Sequence, residues 1–229
     1  MRLHAYEARK PYHRSLVARW AFEQSRGKLV LDSSGNGLHA RLVADAHTVE
    51  DADRGGRVLC LDGDGDWVDC GNDMRLNIVA EITIACWVKV RKFDKPRQTI
   101  VSKGNSAWRL ARVGANAVEF GCNGLALPDG ISGALPGTAN VNDGRWHHVA
   151  GIYDGTRICL YVDGRLDASS EASGRFNMES DKVLIGENDG TSQRSFDGFL
   201  DDVRIYDYAL SAAEIQALSS NPESKGVER

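Results

Sequence analysis

The stretch from Asp143 to Leu210 decides the fold. It reads DGRWHHVAGIYDGTRICLYVDGRLDAS over 143–169, KVLIGEN over 182–188 and FDGFLDDVRIYDYAL over 196–210. Aromatic and β-branched residues alternate with polar ones at period two, the signature of strands. Trp146, His148, Ala150 and Ile152 fall on one face of this pattern, and His147, Val149, Gly151 and Tyr153 on the other. The pattern therefore predicts a sheet covered on both sides. Asp154-Gly155 and Asp163-Gly164 lie between strand-like runs and tolerate positive φ, so two successive hairpins follow. The expected unit is an antiparallel meander.

Upstream, the pattern continues. Leu16–Phe22 opens the series, Arg57–Leu61 and Trp67–Cys70 look like a hairpin joined by Asp62-Gly63-Asp64-Gly65-Asp66, and Ile82–Val90 reads as a central strand. Thr99–Lys103, Trp108–Val113 and Ala117–Cys122 follow, and the Gly- and Pro-containing span 123–140 reads as a long loop, or a loop around one short strand. Leu210–Leu218 is the one convincing helix, with Ser211 as N-cap and Glu214 at the capping-box position. There is neither a fixed-period repeat nor strand–helix alternation, which disfavours propellers, solenoids and α/β folds. An all-β antiparallel sandwich or jelly roll with one short C-terminal helix remains. It is expected to be a single domain over 15–219, with flexible tails at 1–14 and 220–229.

Composition narrows the function. The chain has 229 residues, 42% of them hydrophobic, and a net charge of −4 with both signs interspersed. It therefore offers no long-range attraction to nucleic acid or an anionic membrane. No window approaches the roughly 18 consecutive apolar residues of a membrane helix, and the N-terminus lacks an apolar signal core, so the chain as given reads as soluble and unsignalled. Five cysteines (60, 70, 86, 122 and 159) without CxxC spacing imply neither a zinc site nor a complete disulfide framework. Cys86 and Cys159 read as buried thiols, while Cys60 and Cys70 flank a turn and could be cross-strand neighbours.

Taken together, LVARWAFEQ, LDSSGNGLHARL, LCLDGDGDWVDCG, ITIACWVKV, TIVSKG, WHHVAGIYDGTRICLYVDGRL and FDGFLDDVRIYDYALSAAEI resemble, in order and spacing, the laminin-G-like jelly rolls of the concanavalin A-like lectin/glucanase superfamily. The resemblance spans roughly residues 15–218. It implies two antiparallel sheets, one concave, and recognition of a glycan or an extracellular protein in an exported or cell-surface parent. It implies fold more firmly than function.

Calcium takes six to eight oxygens, and the loop Asp32-Ser33-Ser34-Gly35-Asn36-Gly37 supplies oxygens on a tight turn. Asp32 and Asn36 are the candidate loop ligands. The family resemblance adds Asp201 as their partner, on the strand that also carries Asp202. Without the ion, the same hexapeptide serves as a plain turn with Asp32 bonding its own backbone. The 62–66 acidic turn does not match an EF-hand and reads as solvent-exposed.

Trp146-His147-His148 invites a metal or catalytic reading, but adjacent strand residues point to opposite faces. The pair is expected to be structural, with at least one ring hydrogen-bonded in the core. Glycosidase chemistry needs two carboxyls held at about 5 Å for retention. The ExDxxE strand that would supply them is absent, as are GxSxG, HExxH and the lyase combination of an arginine-bearing strand with Gln-x-His. A non-catalytic recognition module is thus expected, the alternatives being a polysaccharide-active enzyme with an unrecognised site or an architectural domain. For ligand contact the candidates are Trp108, Arg109, Asn188 and Arg194, with Arg112, Asn105, Asn123, Asp189 and Gln193 nearby. Trp108 fits core packing equally well. Trp20, Trp87 and Trp146 are expected in the core, and Trp67 fits either place.

Overall fold

The computed structural model describes residues 14–128, 133–178, 180–189 and 193–220. Apart from Arg14 and Ser220, the expected tails lie outside the described residues. Two antiparallel sheets pack into a sandwich. The first runs in the order β16 (Arg165–Glu171), β15 (Arg157–Val162), β14 (Trp146–Tyr153), β8 (Ile82–Lys92), β19 (Asp197–Tyr206), β6 (Gly56–Asp62) and β5 (His47–Asp51), with β1 (Leu16–Trp20) also on β19. The second runs β13 (Ala134–Pro136), β11 (Ala117–Cys122), β10 (Trp108–Val113), β9 (Thr99–Lys103), β18 (Val183–Ile185), β7 (Trp67–Asp69), β4 (Ala40–Val43), β3 (Leu29–Val30) and β2 (Ser25–Arg26). A small ribbon pairs β12 (Leu125–Ala126) with β17 (Ser173–Gly174).

Period-two alternation sets the core. Ile82, Ile84, Cys86, Val88 and Val90 point from β8 into the space between the sheets, where they meet Val68, Val101, Leu110, Phe120 and Ile185 of the second sheet. Trp20 is wholly buried there, its indole N–H donating to the Leu38 carbonyl at 2.8 Å. The two hairpins form as expected: β14 pairs with β15 and β15 with β16. The other face of β14 is covered too, because helix α1 (Ala212–Ser220) lays Ile215 against Ala85, Ala150, Ile152 and Tyr206. Its capping box is complete. The Glu214 carboxylate accepts from the Ser211 N–H at 2.7 Å, and the Glu214 N–H donates to Ser211 Oγ at 3.3 Å.

One expected hairpin is not there. β6 belongs to the first sheet and β7 to the second, so the 62–66 segment is a corner between layers. The apolar pattern is the same for a hairpin and a corner, since Leu59 and Leu61 face the core from one sheet and Val68 from the other. Gly63 and Gly65, at φ 79° and 87°, allow the turn. The corner also places Cys60 and Cys70 in different sheets, and all five thiols are free. Nor is the turn uniformly exposed. Asp62 and Asp64 are, but Asp66 is only 1% exposed.

Candidate ligand-binding face

The inward register of Val68 turns its neighbour Trp67 to the outer face of the nine-stranded sheet, where it stands half-buried. It borders a cleft of about 810 Å³ whose walls include Asp64, Lys95, Leu184, Asn188 and Gln193. A second hollow of about 520 Å³ shares Asp94 and Pro96 with it and extends along the face to Arg112 and Glu119.

Two loops build the walls, and each has a buried polar organiser. Gln98 accepts from the amides of Asp94 (2.8 Å) and Lys95 (3.0 Å), and donates to the carbonyls of Lys92 and Ser195, both at 3.2 Å. The 93–98 loop is thereby tied to Ser195 on the opposite wall. Glu187 accepts from the amides of Asn188 (2.9 Å) and Arg194 (3.2 Å) and from Ser195 Oγ (2.6 Å). Sequence reasoning missed Gln98 and Glu187, since nothing in a lone polar residue beside a strand announces that it staples a loop.

Most of the residues expected to contact ligand do converge, and the shared partner is Asn105. Its carbonyl accepts from Arg109 (3.4 Å) and Asn123 (2.6 Å), and its Oδ1 accepts from Arg194 (2.8 Å). Asn188 joins at the preceding residue, its Nδ2 donating to the Gly104 carbonyl at 3.2 Å. The Asn188 Oδ1 is buried without a donor and belongs to a residue lining the cleft. Arg109 is 3% exposed and bound to Glu119 at 3.2 Å, so it supports the face more than it presents itself. Burial, with the Arg109 and Arg97 guanidinium groups nearby, lowers the Arg194 pKa from its ordinary value.

Trp108 is not on this face. It is fully buried between the sheets, because its register opposite Cys122 turns it inward. The aromatic surface of the cleft is Trp67. Trp87 and Trp146, expected in the core, lie half-buried on the outer face of the other sheet. There the Arg54 guanidinium packs 4.1 Å from the Trp87 ring centre and 5.6 Å from that of Trp146. The same guanidinium holds Asp201 at 2.8 Å, with both side chains buried.

The histidines divide as strand geometry requires, but hydrogen bonding is reversed from expectation. The half-buried ring of His147 bridges Asp163 (2.8 Å) and Asp143 (3.0 Å), whereas His148 is buried edge-on against Trp87 with its Nδ1 unpartnered. The hydrogen bond to Asp163, opposed by burial and helped by Asp143, raises His147 above 6.5; burial lowers His148 to about 4.

The calcium ligands expected at Asp32, Asn36 and Asp201 are otherwise engaged. Asp32 accepts from the amides of Arg19 (3.0 Å), Ser34 (2.8 Å) and Leu38 (2.9 Å) and from the Ser34 hydroxyl (2.8 Å). Burial alone would raise its carboxyl, but these donors outweigh burial and hold it below its ordinary range. Asn36 donates to the carbonyls of Leu16 (2.8 Å) and Val17 (3.0 Å), and Asp201 pairs with Arg54. The loop is thus stapled by its own backbone, and nearby Asp202 binds Arg19 and Arg204.

The fold is shared with known binding domains. The binding domain of Paraclostridial Mosquitocidal Protein 1 superposes with a TM-score of 0.70 at 15% identity, over 90% of this chain and 52% of that one. The binding domain of botulinum neurotoxin DC in complex with SialylT gives 0.69 at 13%, over 92% and 51%. This chain thus spans about half the length of the toxin domains. Domain 4 of AbnA, a GH43 extracellular arabinanase from Geobacillus stearothermophilus, in complex with arabinotriose, gives 0.68 at 18%, over 90% of this chain and 98% of that domain. No curated protein matches the chain. The Laminin_G_3 family model, of the concanavalin A-like lectin/glucanases superfamily, matches residues 62–216, from the corner before Trp67 into the C-terminal helix. By that match, which covers more than half of its length, the chain belongs to the Laminin_G_3 family.

Proposed function

We propose that this domain is a non-catalytic glycan-recognition module of an extracellular or cell-surface protein, and that it holds its ligand against the outer face of the nine-stranded sheet around Trp67. The observation that carries this is a half-exposed indole in a cleft of about 810 Å³ walled by carboxylates, amides and a lysine. A sugar ring presents an apolar C–H face to stack on an aromatic and a rim of hydroxyls to hydrogen-bond, and this cleft offers both complements. The arabinotriose and SialylT complexes of domains with this fold support the reading, and the extracellular arabinanase supports the location.

Two of the carboxylates lining the cleft, Asp94 and Glu187, fit binding better than catalysis. A general acid needs a raised carboxyl, yet the Asp94 carboxyl is lowered by its hydrogen bond to Lys92, and Glu187 spends its oxygens on three donors. A glycan array followed by calorimetry on the leading sugar tests the proposal. Binding is expected for the intact domain, with loss of roughly 1 kcal/mol or more, about a fivefold to tenfold weaker Kd, in Trp67→Ala. An array without hits, or a hit bound equally by Trp67→Ala, rejects it.

A further inference from the structure

We infer that Asp45, Asp62 and Asp66 form a site for calcium at the corner where the chain passes from one sheet to the other. Each residue offers a carboxylate oxygen, and the three oxygens lie within 4.8 Å of one another. Proximity of acids is common on surfaces, and the decisive observation is Asp66. Five carboxylates belong to buried residues among the described ones, namely Asp32, Asp66, Glu119, Glu187 and Asp201, and of these Asp66 alone keeps an oxygen that is both shut from water and without a donor. Its Oδ2 accepts from the Asp62 amide at 3.2 Å, while its Oδ1 is shut from water and unpartnered.

The contrast with the other four is chemical. Asp32 and Glu187 are satisfied by backbone and hydroxyl donors, Asp201 by Arg54, and Glu119 by Arg109 and Arg97. Near Asp66 the available cations are turned elsewhere. Lys28 donates to the carbonyls of Ala44 (2.6 Å) and Ala46 (3.3 Å), Lys95 donates to that of Gly63, and Arg91 pairs with Asp197 at 2.6 Å. A buried carboxylate facing two more without a counter-charge is costly, and a divalent ion is the agent that turns that repulsion into attraction. All-oxygen donors without His or Cys select a hard ion over zinc or copper. The exposed Asp45 and Asp62 leave room for waters to complete a shell of six to eight oxygens, which suits calcium. This is a different place from the Asp32 loop, and it is independent of the ligand reading, although Asp64 and Gly65 of the same corner border the cleft.

The test uses the metal-stripped full chain and calcium chloride alone, followed by calorimetry and thermal unfolding. One ion per chain and a higher Tm are expected. Asp66→Asn and Asp62→Asn should weaken binding on the order of tenfold or more, and metal-free Asp66→Asn should be no less stable than the metal-free parent, because an isosteric amide removes the repulsion. Should Asp66→Asn not fold, the exposed Asp45→Asn and Asp62→Asn carry the same test. No heat and no Tm change up to ~10 mM calcium overturns the inference. So does calcium binding that these variants leave unchanged, which would place the ion elsewhere.

Discussion

The two outer faces of the sandwich are made from the same kinds of strand and covered in opposite ways. On the eight-stranded sheet, α1 covers Ala85, Ala150, Ile152 and Tyr206, and farther along Arg54 fills the space beside Trp87 and Trp146 while neutralising Asp201. Its aromatic rings are occupied by the protein itself. On the nine-stranded sheet, Trp67 is left beside a cleft, and the loops around it are fixed by Gln98 and Glu187 below. Rigid walls around an uncovered aromatic are what pre-organised binding requires, since little ordering entropy is then lost with the ligand. An exposed tryptophan therefore cannot be interpreted from its strand alone, and what the opposite loops place over it decides.

The largest effect expected is at Trp108. Trp108→Ala removes a fully buried indole from the core and should cost about 3–5 kcal/mol in urea unfolding. A small cost would mean that the core and the ligand face have been exchanged. Next, Arg54→Ala removes the guanidinium that holds Asp201, whose side chain is 0% exposed, and should cost roughly 3 kcal/mol without altering glycan affinity. A change in affinity with unchanged stability would move the ligand to this face.

The neighbouring histidines give a pH-dependent comparison. His148 titrates near 4 in the folded chain against 6.5 unfolded, so its stabilising contribution is present above pH 6.5 and drains away as pH falls toward about 4. By linkage the amount is ~3 kcal/mol, and the stability difference between wild type and His148→Gln should shrink by that much across this window. His147 works in the other direction. Its raised value adds stability below pH 6.5 that is lost as pH rises through the folded value, so His147→Gln should narrow its deficit at alkaline pH. Trp67→Ala trims a half-buried indole from a paired strand and should cost about 1 kcal/mol in stability, although its effect on binding is the one that matters.

Much of this was legible in the chain. Period-two alternation, Asp-Gly turns and the Ser211–Glu214 capping box are local signals, and each corresponds to an observed element. Strand partners are set by distant residues, which is why the 62–66 corner looked like a hairpin. The ligand-side candidates Arg109, Asn188 and Arg194 do gather about Asn105. Trp108 went to the core because a one-residue change of register exchanges faces, and sequence alternation alone does not say which face is inward. Residue type drew the calcium expectation to Asp32 and the family resemblance drew it to Asp201, but Asp32 accepts from amides of its own loop and of Arg19, and Asp201 from an arginine 147 positions away in sequence. Asp66 carried no sign of burial, since it closes a run of alternating aspartate and glycine that reads as an exposed turn before Trp67.

Hydrogen–deuterium exchange of the intact domain, with and without its leading array sugar, tests the central claim most directly. Protection is expected at 62–67, 93–98, 186–189 and 193–195 beside the cleft, with the 52–55 turn carrying Arg54 unchanged. Protection confined to 52–55 and the Trp146 end of β14, with the cleft loops unchanged, would contradict the account.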